Sequence, residues 1–577
     1  MSRCHRRDFS PARRVGDMLN RHDTTKMKIP TSLLLLFSSV LPLAAQAKKN
    51  VLLIAVDDLK PLIGAYGDPH AKTPNIDRLA ARGILFEHAY TNQAVCAPSR
   101  NSLLTGITPG TLGIYDLATN FRKAAPDAIT LPQQFIRNGY RAEAVGKLYH
   151  SGHGNGDDAA SWSVPHVKPS GKTYALDTSG PPEGTPRRKN GKAPRGAAVE
   201  SADVPDDTYA DGLTANEVIK RLEAAKERPD TPFFIGAGFI RPHLPFVAPK
   251  KYWDLYTRSD LKVAEYQKAP EGAPDAAMRP NGELSQYRGA ENSGNLSEAQ
   301  QLELIHGYYA ATSYTDAQVG KLLDALDRLG LSENTIVVLW GDHGWHLGDH
   351  GLWAKHSNFE QATRIPFIIS APGVTAPGGK TKSLVQSIDL YPTLLELTGL
   401  PHPGSKPALE GKSLVPVLKD PAATVNEVVY QVYPRGPLIG RSLRTATHRL
   451  VEWKAPGAAP ETAEWELYDY GTDPAETRNL VKDQPETVAA LKPKLAALPE
   501  AKKQIKVTEL EKETATKKPA AGRDRAKLFA NRDKNHDGIL SREEFLANQE
   551  DQTERFTRFD KNKDGSLSRE EFISAGK

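Results

Sequence analysis

Residues 51–58 read VLLIAVDD, six apolar residues followed directly by two aspartates. Four further motifs also lie just beyond an apolar run: AVCAPSR around Cys96, AEAVGKLYH ending at His150, FFIGAGF before Arg241, and TIVVLW before Gly341-Asp342-His343. In an open α/β sheet the ligand-binding crevice lies beyond the carboxyl ends of the strands, where residues far apart in sequence meet. The sequence therefore predicts one reaction centre built from separate segments.

The pattern around these motifs predicts the fold of the first 420 residues. Between residues 50 and 420, β-branched runs alternate with amphipathic helical segments, at 75–81, 131–138, 213–227, 299–329 and 390–397. This alternation is typical of an α/β fold in which a mostly parallel sheet is sandwiched by helices. Two polar stretches, 163–204 and 269–295, interrupt the pattern and are predicted to be long surface loops near the active face.

A second pattern begins near residue 425. Short alternating runs, VVYQVY, SLRTATHRLVEW and WELYDY, precede a helical stretch at 486–498, which predicts a small antiparallel-sheet subdomain with a closing helix. Residues 502–518 are dominated by Lys, Glu, Thr and Ala and favour a linker. We therefore divide this part of the chain as follows: the α/β domain over 48–420, the antiparallel-sheet subdomain over 421–500, the linker over 501–523 and a tail module over 524–577.

The N-terminal segment has the pattern of a secretory signal. A charged start precedes LLLLF at residues 33–37, and Ala45-Gln46-Ala47 forms a small-x-small cleavage site. The apolar core is shorter than the roughly 20 residues that span a bilayer, so we predict a signal peptide over 27–47, no membrane anchor after cleavage, and a secreted or periplasmic protein. Met27 is then the expected start, and residues 1–26 are a misassigned or untranslated leader.

Charge and cysteine content add two constraints. The 577 residues carry a formal net charge of +5, a mild basic excess that favours anionic substrates only weakly, and we expect no nucleic-acid partner. Cys4 and Cys96 are the only cysteines, so signal cleavage would leave Cys96 alone and exclude a disulfide within the mature monomer. A lone thiol in an exported protein points to an intermolecular bond or a reactive group, and the simplest alternative is a buried core residue.

The tail module resembles a paired EF-hand, with all-α flanking segments. Two twelve-residue loops place oxygen ligands at the positions that bind calcium, with glycine at the sharp turn and glutamate at the end. The implied ligands are Asp533, Asn535, Asp537, Ile539, Ser541 and Glu544 in the first loop, and Asp560, Asn562, Asp564, Ser566, Ser568 and Glu571 in the second. Two Ca²⁺ ions are therefore expected. A dockerin-like module, which would hold a partner, is the alternative, and the tail's partner stays unidentified.

The motif Cys96-Ala97-Pro98-Ser99-Arg100, followed by Leu104-Thr105-Gly106, resembles the signature of the type I, formylglycine-dependent sulfatase family. The resemblance extends over residues 50–500 and is nearest to the iduronate-2-sulfatase branch, through VDDLKPLIGAYGD, TPNIDRLA, QAVCAPSR, VGKLYH, RPHLPF and GDHGWHLGDHGLWAKHSNFE. It implies an alkaline-phosphatase-like α/β fold. It also implies a maturation enzyme that oxidises Cys96 to formylglycine.

The charged motifs predict a metal site next to residue 96. Pro98 suits the first turn of a helix, which would place Cys96 at a helix N-terminus that favours anions. Asp57, Asp58 and Asp342 are hard oxygen ligands whose joint negative charge is costly without a cation. An Asp-Asp pair after a strand is by itself often a turn or a cap. The family resemblance implies one Ca²⁺, bound also by residue 96 and His343, while magnesium or another metal stays open.

The resemblance assigns further catalytic roles by position. It implies that the hydrated formylglycine at residue 96 attacks sulfur, the alcohol leaves, and sulfate is then eliminated to restore the aldehyde. Arg100 and Lys147 would hold and polarise the hydrate, and His150 would assist proton removal. His243 and Lys355 would grip the sulfate, and His243 could also protonate the leaving oxygen. The Lys-x-x-His spacing departs from the Lys-x-His of many arylsulfatases.

These observations predict an exported sulfatase acting on a sulfated carbohydrate, namely a uronic-acid-containing polysaccharide or oligosaccharide. Two alternatives stay open. A phosphatase or phosphonate hydrolase of the same superfamily would share the metal-bearing core, although those enzymes commonly use Thr or Ser as nucleophile. A sulfated-glycan-binding protein would keep Cys96 as a plain thiol. Loops that vary between relatives select the sugar, so the sequence predicts the reaction more closely than the substrate.

Overall fold

The computed structural model describes residues 48–181, 195–278, 282–505, 525–535, 537–547 and 553–574. The predicted leader and signal peptide, residues 1–47, lie outside the described residues, as does most of the predicted linker. Among the described helices, none combines the length and the apolar character that crossing a bilayer requires.

The elements follow in chain order. The strands are β1 (Asn50–Val56), β2 (Ile84–Phe86), β3 (Ala89–Tyr90), β4 (Arg141–Gly146), β5 (Val199–Ala202), β6 (Phe233–Phe239), β7 (Phe246–Pro249), β8 (Thr335–Gly341), β9 (Phe367–Ser370), β10 (Gly379–Thr381), β11 (Val385–Gln386), β12 (Val429–Arg435), β13 (Leu438–Arg444), β14 (His448–Lys454), β15 (Glu464–Asp469), β16 (Ile539–Ser541) and β17 (Ser566–Ser568). The helices are α1 (Pro74–Arg82), α2 (Cys96–Thr105), α3 (Pro109–Leu112), α4 (Leu131–Arg137), α5 (Ala210–Lys226), α6 (Lys250–Trp253), α7 (Glu298–Arg328), α8 (Glu360–Thr363), α9 (Leu390–Thr398), α10 (Val415–Lys419), α11 (Pro485–Ala496), α12 (Arg525–Arg532), α13 (Arg542–Leu546), α14 (Thr553–Phe559) and α15 (Arg569–Ser574).

A seven-stranded sheet in the order β10-β2-β9-β8-β1-β6-β4 forms the centre of the α/β domain. Strand β1 pairs in parallel with both β6 and β8, and β4 pairs in parallel with β6. Only β9 runs antiparallel to its neighbours β2 and β8 within this sheet. The prediction of a mostly parallel sheet is confirmed.

The sheet is covered on both faces because β1 is apolar at every position from Val51 to Val56. Alternate side chains of a strand point to opposite faces, so Val51 and Leu53 pack into one core cluster, while Leu52 and Ile54 pack into another. Helices α2, α4 and α9 complete the first cluster, and α1, α5 and α7 complete the second. Continuous apolar runs of this kind are typical of parallel sheets buried on both sides.

The five predicted helical segments correspond to α1, α4, α5, α7 and α9, with boundaries that differ by a few residues. The largest difference is at α5, which begins at Ala210 rather than at residue 213. The first turn contains Asp211 and Gly212, and glycine is a weak helix former. Helix periodicity alone therefore underestimates the length of α5.

The C-terminal subdomain is a four-stranded antiparallel sheet in the order β12-β13-β14-β15. The run SLRTATHRLVEW, treated above as one segment, contains parts of two strands, because residues 445–447 turn the chain from β13 into β14. Helix α11 packs on one face through Leu491 and Leu495, which join the side chains of Leu443, Leu450 and Leu467.

The segment after α11, residues 501–505, returns to the α/β domain. The Lys502 amide donates a hydrogen bond to Gly110 O (3.0 Å), and the Ile505 amide donates to Gly113 O (2.8 Å). The Tyr115 hydroxyl donates to Lys502 O (2.7 Å). These contacts lie directly beyond α2 and α3, so this segment covers the stretch of chain that follows the Cys96 helix.

The tail contains two helix–loop–helix units. Strands β16 and β17 pair antiparallel and connect the two loops. Five phenylalanines from the flanking helices form a buried apolar core: Phe529, Phe545, Phe556, Phe559 and Phe572. The tail therefore has an apolar core of its own.

Two glycines allow β4 and β6 to approach closely where they reach the site. Gly146 pairs with Gly238, and a Cβ added to Gly146 would lie 2.1 Å from Gly238 O. A Cβ added to Gly238 would lie 2.3 Å from the carbonyl carbon and oxygen of Lys147. This close approach positions the backbone of Lys147 beside the end of β6.

We predict that Gly238→Ala lowers the free energy of unfolding by about 1–3 kcal/mol, because the added methyl group meets backbone atoms that cannot move independently. Gly236→Ala on the same strand is the matched control, since the three atoms nearest to its Cβ would all belong to the Leu148 side chain, at 3.0–3.3 Å. Urea unfolding of both variants measures the difference. Equal losses in the two variants would contradict this account.

Candidate active site

The ends of parallel strands deliver most of the charged cluster. Asp57 and Asp58 follow β1, Asp342 and His343 follow β8, and Lys147 follows β4. Because these strands run parallel in one sheet, their carboxyl ends lie along the same edge. The five motifs that the sequence analysis singled out meet there.

Cys96 is the first residue of α2 and is almost completely buried, with 2% of its surface exposed. Its Sγ atom lies 3.3 Å from His343 Nε2, 3.6 Å from Lys355 Nζ and 3.8 Å from Lys147 Nζ. Burial, followed by the nearby Asp57 carboxylate, raises the pKa of the Cys96 thiol to about 12. An unmodified thiol would therefore stay protonated at neutral pH and would be a poor nucleophile.

Each of the three buried carboxylates has a cationic partner. Asp57 pairs with Lys147 and Arg100, Asp58 accepts a hydrogen bond from Lys355 Nζ (2.9 Å), and Asp342 accepts one from Arg100 Nε (2.9 Å). Burial acts to raise the pKa of Asp57, but the neighbouring positive charges outweigh burial and hold it well below its usual value. Burial raises the pKa of Asp58 well above its usual value, and it also raises that of Asp342.

The donor set fits a hard divalent cation. The ligand atoms of Asp57, Cys96, Asp342 and His343 all lie within 4.8 Å of one another. His343 Nδ1 donates to Gly344 O (3.1 Å), so the lone pair of Nε2 faces Asp58 and Asp342, whose Oδ1 atoms are 3.4 and 3.5 Å away. The raised pKa of the Asp58 and Asp342 carboxyls shows that the cationic side chains do not offset burial fully. A divalent cation would do so.

Arg100 links the helix to the strands. Its guanidinium is completely buried, donates to Asp342, and also donates to the backbone carbonyls of Lys147 and Leu148. A planar guanidinium can make these contacts simultaneously, whereas an ammonium group cannot. Arg100 therefore holds the end of β4 against the end of β8 as well as balancing charge.

His243 and Lys355 face each other across a carboxylate that the sequence analysis did not identify. Glu283 lies 3.4 Å from His243 Nε2 through Oε1 and 3.4 Å from Lys355 Nζ through Oε2. Burial raises the pKa of Glu283, but the charges of Lys355, His243, His356 and Arg195 together outweigh burial and lower it overall. Glu283 lies in the predicted loop 269–295, where no motif or periodicity distinguishes it from other surface acids.

His150 lies beside the cluster rather than against Cys96. Its Nε2 lies 3.3 Å from His153 Nδ1, and among the described residues it forms no hydrogen bond with Cys96. Burial, and then the charge of Lys147, lowers the pKa of His150 to about 3. The imidazole is therefore neutral at physiological pH and can accept a proton.

The loop that carries Lys355 is held from within by buried side chains. His346 is completely buried and lies 2.9 Å from Ser357 Oγ through Nε2. His350 Nε2 donates to Ala475 O in the C-terminal subdomain (2.8 Å). The Lys355 ammonium lies 5.3 Å from the centre of the buried Trp345 ring. These contacts position Lys355 toward Cys96.

Both tail loops have the backbone conformation expected for calcium loops. Gly538 and Gly565 adopt positive φ values of 81° and 82° at the turn, a region that glycine enters without strain. Asp533 Oδ2 accepts a hydrogen bond from the Gly538 amide (3.0 Å), and Asp560 Oδ2 accepts one from the Gly565 amide (3.0 Å). The first aspartate of each loop therefore points back across the loop toward its central turn.

Comparison with protein families gives three matches. The sulfatase family matches residues 49–400. The C-terminal N-sulphoglucosamine sulphohydrolase family matches residues 348–501, and the EF hand family matches residues 553–574, which contain the second tail loop. The predicted family resemblance is confirmed.

Individual proteins are similar over most of the chain. Iduronate 2-sulfatase of Mus musculus is 34% identical over 508 residues, covering 75% of this chain and 91% of that protein. A structure of BT4656 in complex with its substrate D-glucosamine-2-N,6-O-disulfate superposes with a TM-score of 0.62 at 20% identity, covering 82% of this chain and 100% of that chain. Phosphonate monoester hydrolase SpPMH from Silicibacter pomeroyi gives 0.61 at 22% identity, covering 78% and 94%. The two structures support the predicted alkaline-phosphatase-like fold.

We predict that His346 makes the protein less stable in acid. Burial, and then the charge of His350, lowers the pKa of His346 to about 3 in the folded state, against about 6.5 when unfolded. Between these values the unfolded state binds one more proton, so the free energy of unfolding falls as the pH falls, by up to about 1.4 kcal/mol per pH unit.

Urea unfolding of His346→Gln between pH 7 and pH 4 tests this prediction. The variant should show a shallower pH dependence than the parent, since glutamine does not titrate. His402→Gln is the matched control, because His402 is exposed and its replacement should leave the slope unchanged. An unaltered slope in His346→Gln would refute the assignment.

Proposed function

The chain belongs to the sulfatase family and is a sulfuric ester hydrolase, and we propose that it hydrolyses sulfate esters of a sulfated sugar. The observation that carries this proposal is the position of Cys96 at the start of α2, with Lys147, His343 and Lys355 within 3.8 Å of its sulfur. This arrangement places two ammonium groups and an imidazole around one reacting atom, and it lies next to three carboxylates suited to a cation.

Two groups complete this centre in the proposed enzyme. Formylglycine made from Cys96 would supply a nucleophilic oxygen through its hydrate, and a Ca²⁺ ion held by Asp57, Asp58, Asp342 and His343 would stabilise negative charge. A maturation enzyme of the host would have to make the first group. The raised pKa of the Cys96 thiol supports this requirement, since the protonated thiol is unreactive.

The chain's own residues bind the sulfate and move protons. Lys147 and Lys355 bring ammonium groups within 3.8 Å of the Cys96 sulfur, where they stabilise negative oxygen atoms. His243 Nδ1 donates to Leu244 O (2.7 Å), which leaves Nε2 to face the sulfate. Burial, and then the charge of Lys355, lowers the pKa of His243 to about 3, while Asp57 and Glu283 act against that shift. The negative charge of a bound sulfate ester would add to their effect, so that His243 would carry a proton at Nε2 and donate it to the leaving oxygen. His150 would take up the proton released at residue 96, where developing negative charge would raise the pKa of its imidazole above the value of about 3.

The substrate class is inferred from similarity and from charge. Iduronate 2-sulfatase of mouse, a relative at 34% identity, supports a uronic-acid-containing polysaccharide or its oligosaccharides as substrate. We further propose that the protein is exported through residues 27–47, to the periplasm or the medium, where such polysaccharides are found. The tail would bind one Ca²⁺ in each loop and serve a structural role.

We predict that protein made with a formylglycine-generating enzyme carries an aldehyde at residue 96 and releases sulfate from a sulfated uronate disaccharide. Cys96→Ala should lower kcat/KM by about 10³-fold or more, because the nucleophile is lost, while thermal unfolding stays close to that of the parent. Peptide mass analysis across residue 96 and a sulfate-release assay provide the two measurements.

Matched aryl esters separate the alternatives. Aryl sulfate should react much faster than aryl phosphate or phosphonate, and the reverse ranking would identify a phosphatase or phosphonate hydrolase. A plain thiol at residue 96 in protein from the native host, together with binding of sulfated glycan and no turnover, would identify a binding protein.

We predict that the catalytic calcium and the tail calcium can be removed independently. Glu544→Gln combined with Glu571→Gln removes the bidentate ligand from each tail loop, so calcium stoichiometry should fall while kcat changes less than about twofold, since the loops supply no catalytic group. Asp57→Asn should weaken activity by about 10²-fold or more and reduce binding at the other site. Equilibrium dialysis and activity assays measure both effects, and equal loss of activity in the two variants would contradict the division.

A further inference from the structure

A cavity of about 480 Å³ opens beside the reaction centre. Lys147 and His243 form part of its wall and also belong to the cluster around Cys96, so the two spaces adjoin. The rest of the wall comes from Gly146, His150 and Ser151, from residues 168–173, from Tyr209 with the first turn of α5, and from the segment after β6. Its volume lies within the roughly 300–1,000 Å³ that is usual for small-molecule pockets.

The wall of this cavity is positively charged. Lys147, Lys168, Lys172 and Arg241 contribute cationic groups, and Asp211 is the one carboxylate among its lining residues. Each oxygen of the Asp211 carboxylate accepts one backbone hydrogen bond, from Ile240 N and from Arg241 N (both 2.8 Å). Asp211 therefore organises the backbone after β6, and it acts on Arg241 through its charge without a direct ion pair. Lys147 pairs with Asp57 and Lys168 with Asp157. Among the described residues, Arg241 and Lys172 are the wall cations with no carboxylate oxygen within 4.0 Å.

Arg241 is a buried cation of this wall that has no carboxylate in direct contact among the described residues. It is only 8% exposed, and among the described residues its side chain donates one hydrogen bond, from Nη1 to His243 O (2.7 Å). In the described part of the chain no carboxylate oxygen lies within 4.0 Å of its guanidinium nitrogens. Buried charges are normally paired, because desolvating a lone charge is costly. An anion bound in the cavity would supply the missing partner.

Lys172 lies on the exposed side of the same cavity. Within the described residues its ammonium has no carboxylate partner, whereas Lys168 is 3.6 Å from Asp157. Its backbone is anchored by a hydrogen bond from its amide to Thr208 O (2.9 Å), just before α5. Lys172 is therefore a cation on an anchored backbone segment, and its ammonium is available to a ligand that enters from solvent.

We propose that this cavity binds a second anionic group of the substrate, a carboxylate or a further sulfate, while the reacting sulfate ester lies against residue 96. The shared wall of Lys147 and His243 requires both groups to be on the same or adjacent sugar units. Arg241 binds this anionic group at the buried end of the cavity, and the Lys172 ammonium contacts it from the solvent side. This inference rests on the proposed function only for the identity of the reacting group.

Equilibrium binding to the Cys96→Ala protein tests the inference without turnover. The probes are a monosulfated uronate, the methyl ester of the same sugar, which lacks the carboxylate charge, and a hexosamine 2-N,6-O-disulfate, which carries a second sulfate instead. Lys172→Gln should weaken binding of the monosulfated uronate by about tenfold or more, as is typical of charged hydrogen bonds. It should change binding of the methyl ester by less than about twofold.

Controls make each outcome decisive. Lys250→Gln removes an exposed lysine outside the cavity, which pairs with Asp254, and should change no affinity. Arg241→Gln should reproduce the loss seen with Lys172→Gln, with circular dichroism confirming its fold. A tenfold loss confined to the disulfated sugar would identify a second sulfate as the ligand. Equal losses for the uronate and its ester, or no loss for either charged sugar, would overturn the subsite even if sulfate release by the parent enzyme is observed.

Discussion

The burial of three carboxylates at the ends of β1 and β8 is the constraint on which the rest of the site depends. Asp57, Asp58 and Asp342 are completely shielded from water, and removing any partner of such a charge leaves it uncompensated, at a cost of about 3–5 kcal/mol. The positions of Arg100 and Lys355 follow from this requirement. The apolar strands can end in charge only because other elements return cations to the same edge.

Much of this arrangement could be predicted from sequence, for physical reasons. The uninterrupted apolar run of β1 indicated a strand buried on both faces, and parallel pairing implies a shared edge for the side chains that follow. Glu283 could not be predicted, because its partners His243 and Lys355 depend on the path of an irregular loop. The basic cavity could not be predicted for the same reason. Lys172 lies in an irregular loop and Arg241 in the motif after β6, and their separation in the sequence does not show that they line the same cavity.

The C-terminal subdomain takes part in positioning the site. Glu360, at the start of α8, accepts a hydrogen bond from Arg444 Nε (3.2 Å) on β13, and its amide donates to Glu476 Oε2 (2.9 Å). Asn358 Nδ2 donates to Gly440 O (3.1 Å). These contacts hold the end of the loop that carries Lys355. The subdomain is therefore part of the scaffold of the active site, although its own residues contribute no group to the charged cluster around Cys96.

The return of residues 501–505 to the segment beyond α2 has a consequence for how the protein is made. The partner of Asp58, Lys355, follows it by 297 positions in the chain, and Lys502, which accepts the hydrogen bond of the Tyr115 hydroxyl, follows Tyr115 by 387 positions. Contacts between such distant parts of a chain form slowly, because long loops must close first. During translation the early strands therefore leave the ribosome without their counter-charges. The α/β domain can complete its native packing only when the chain has been synthesised to about residue 505.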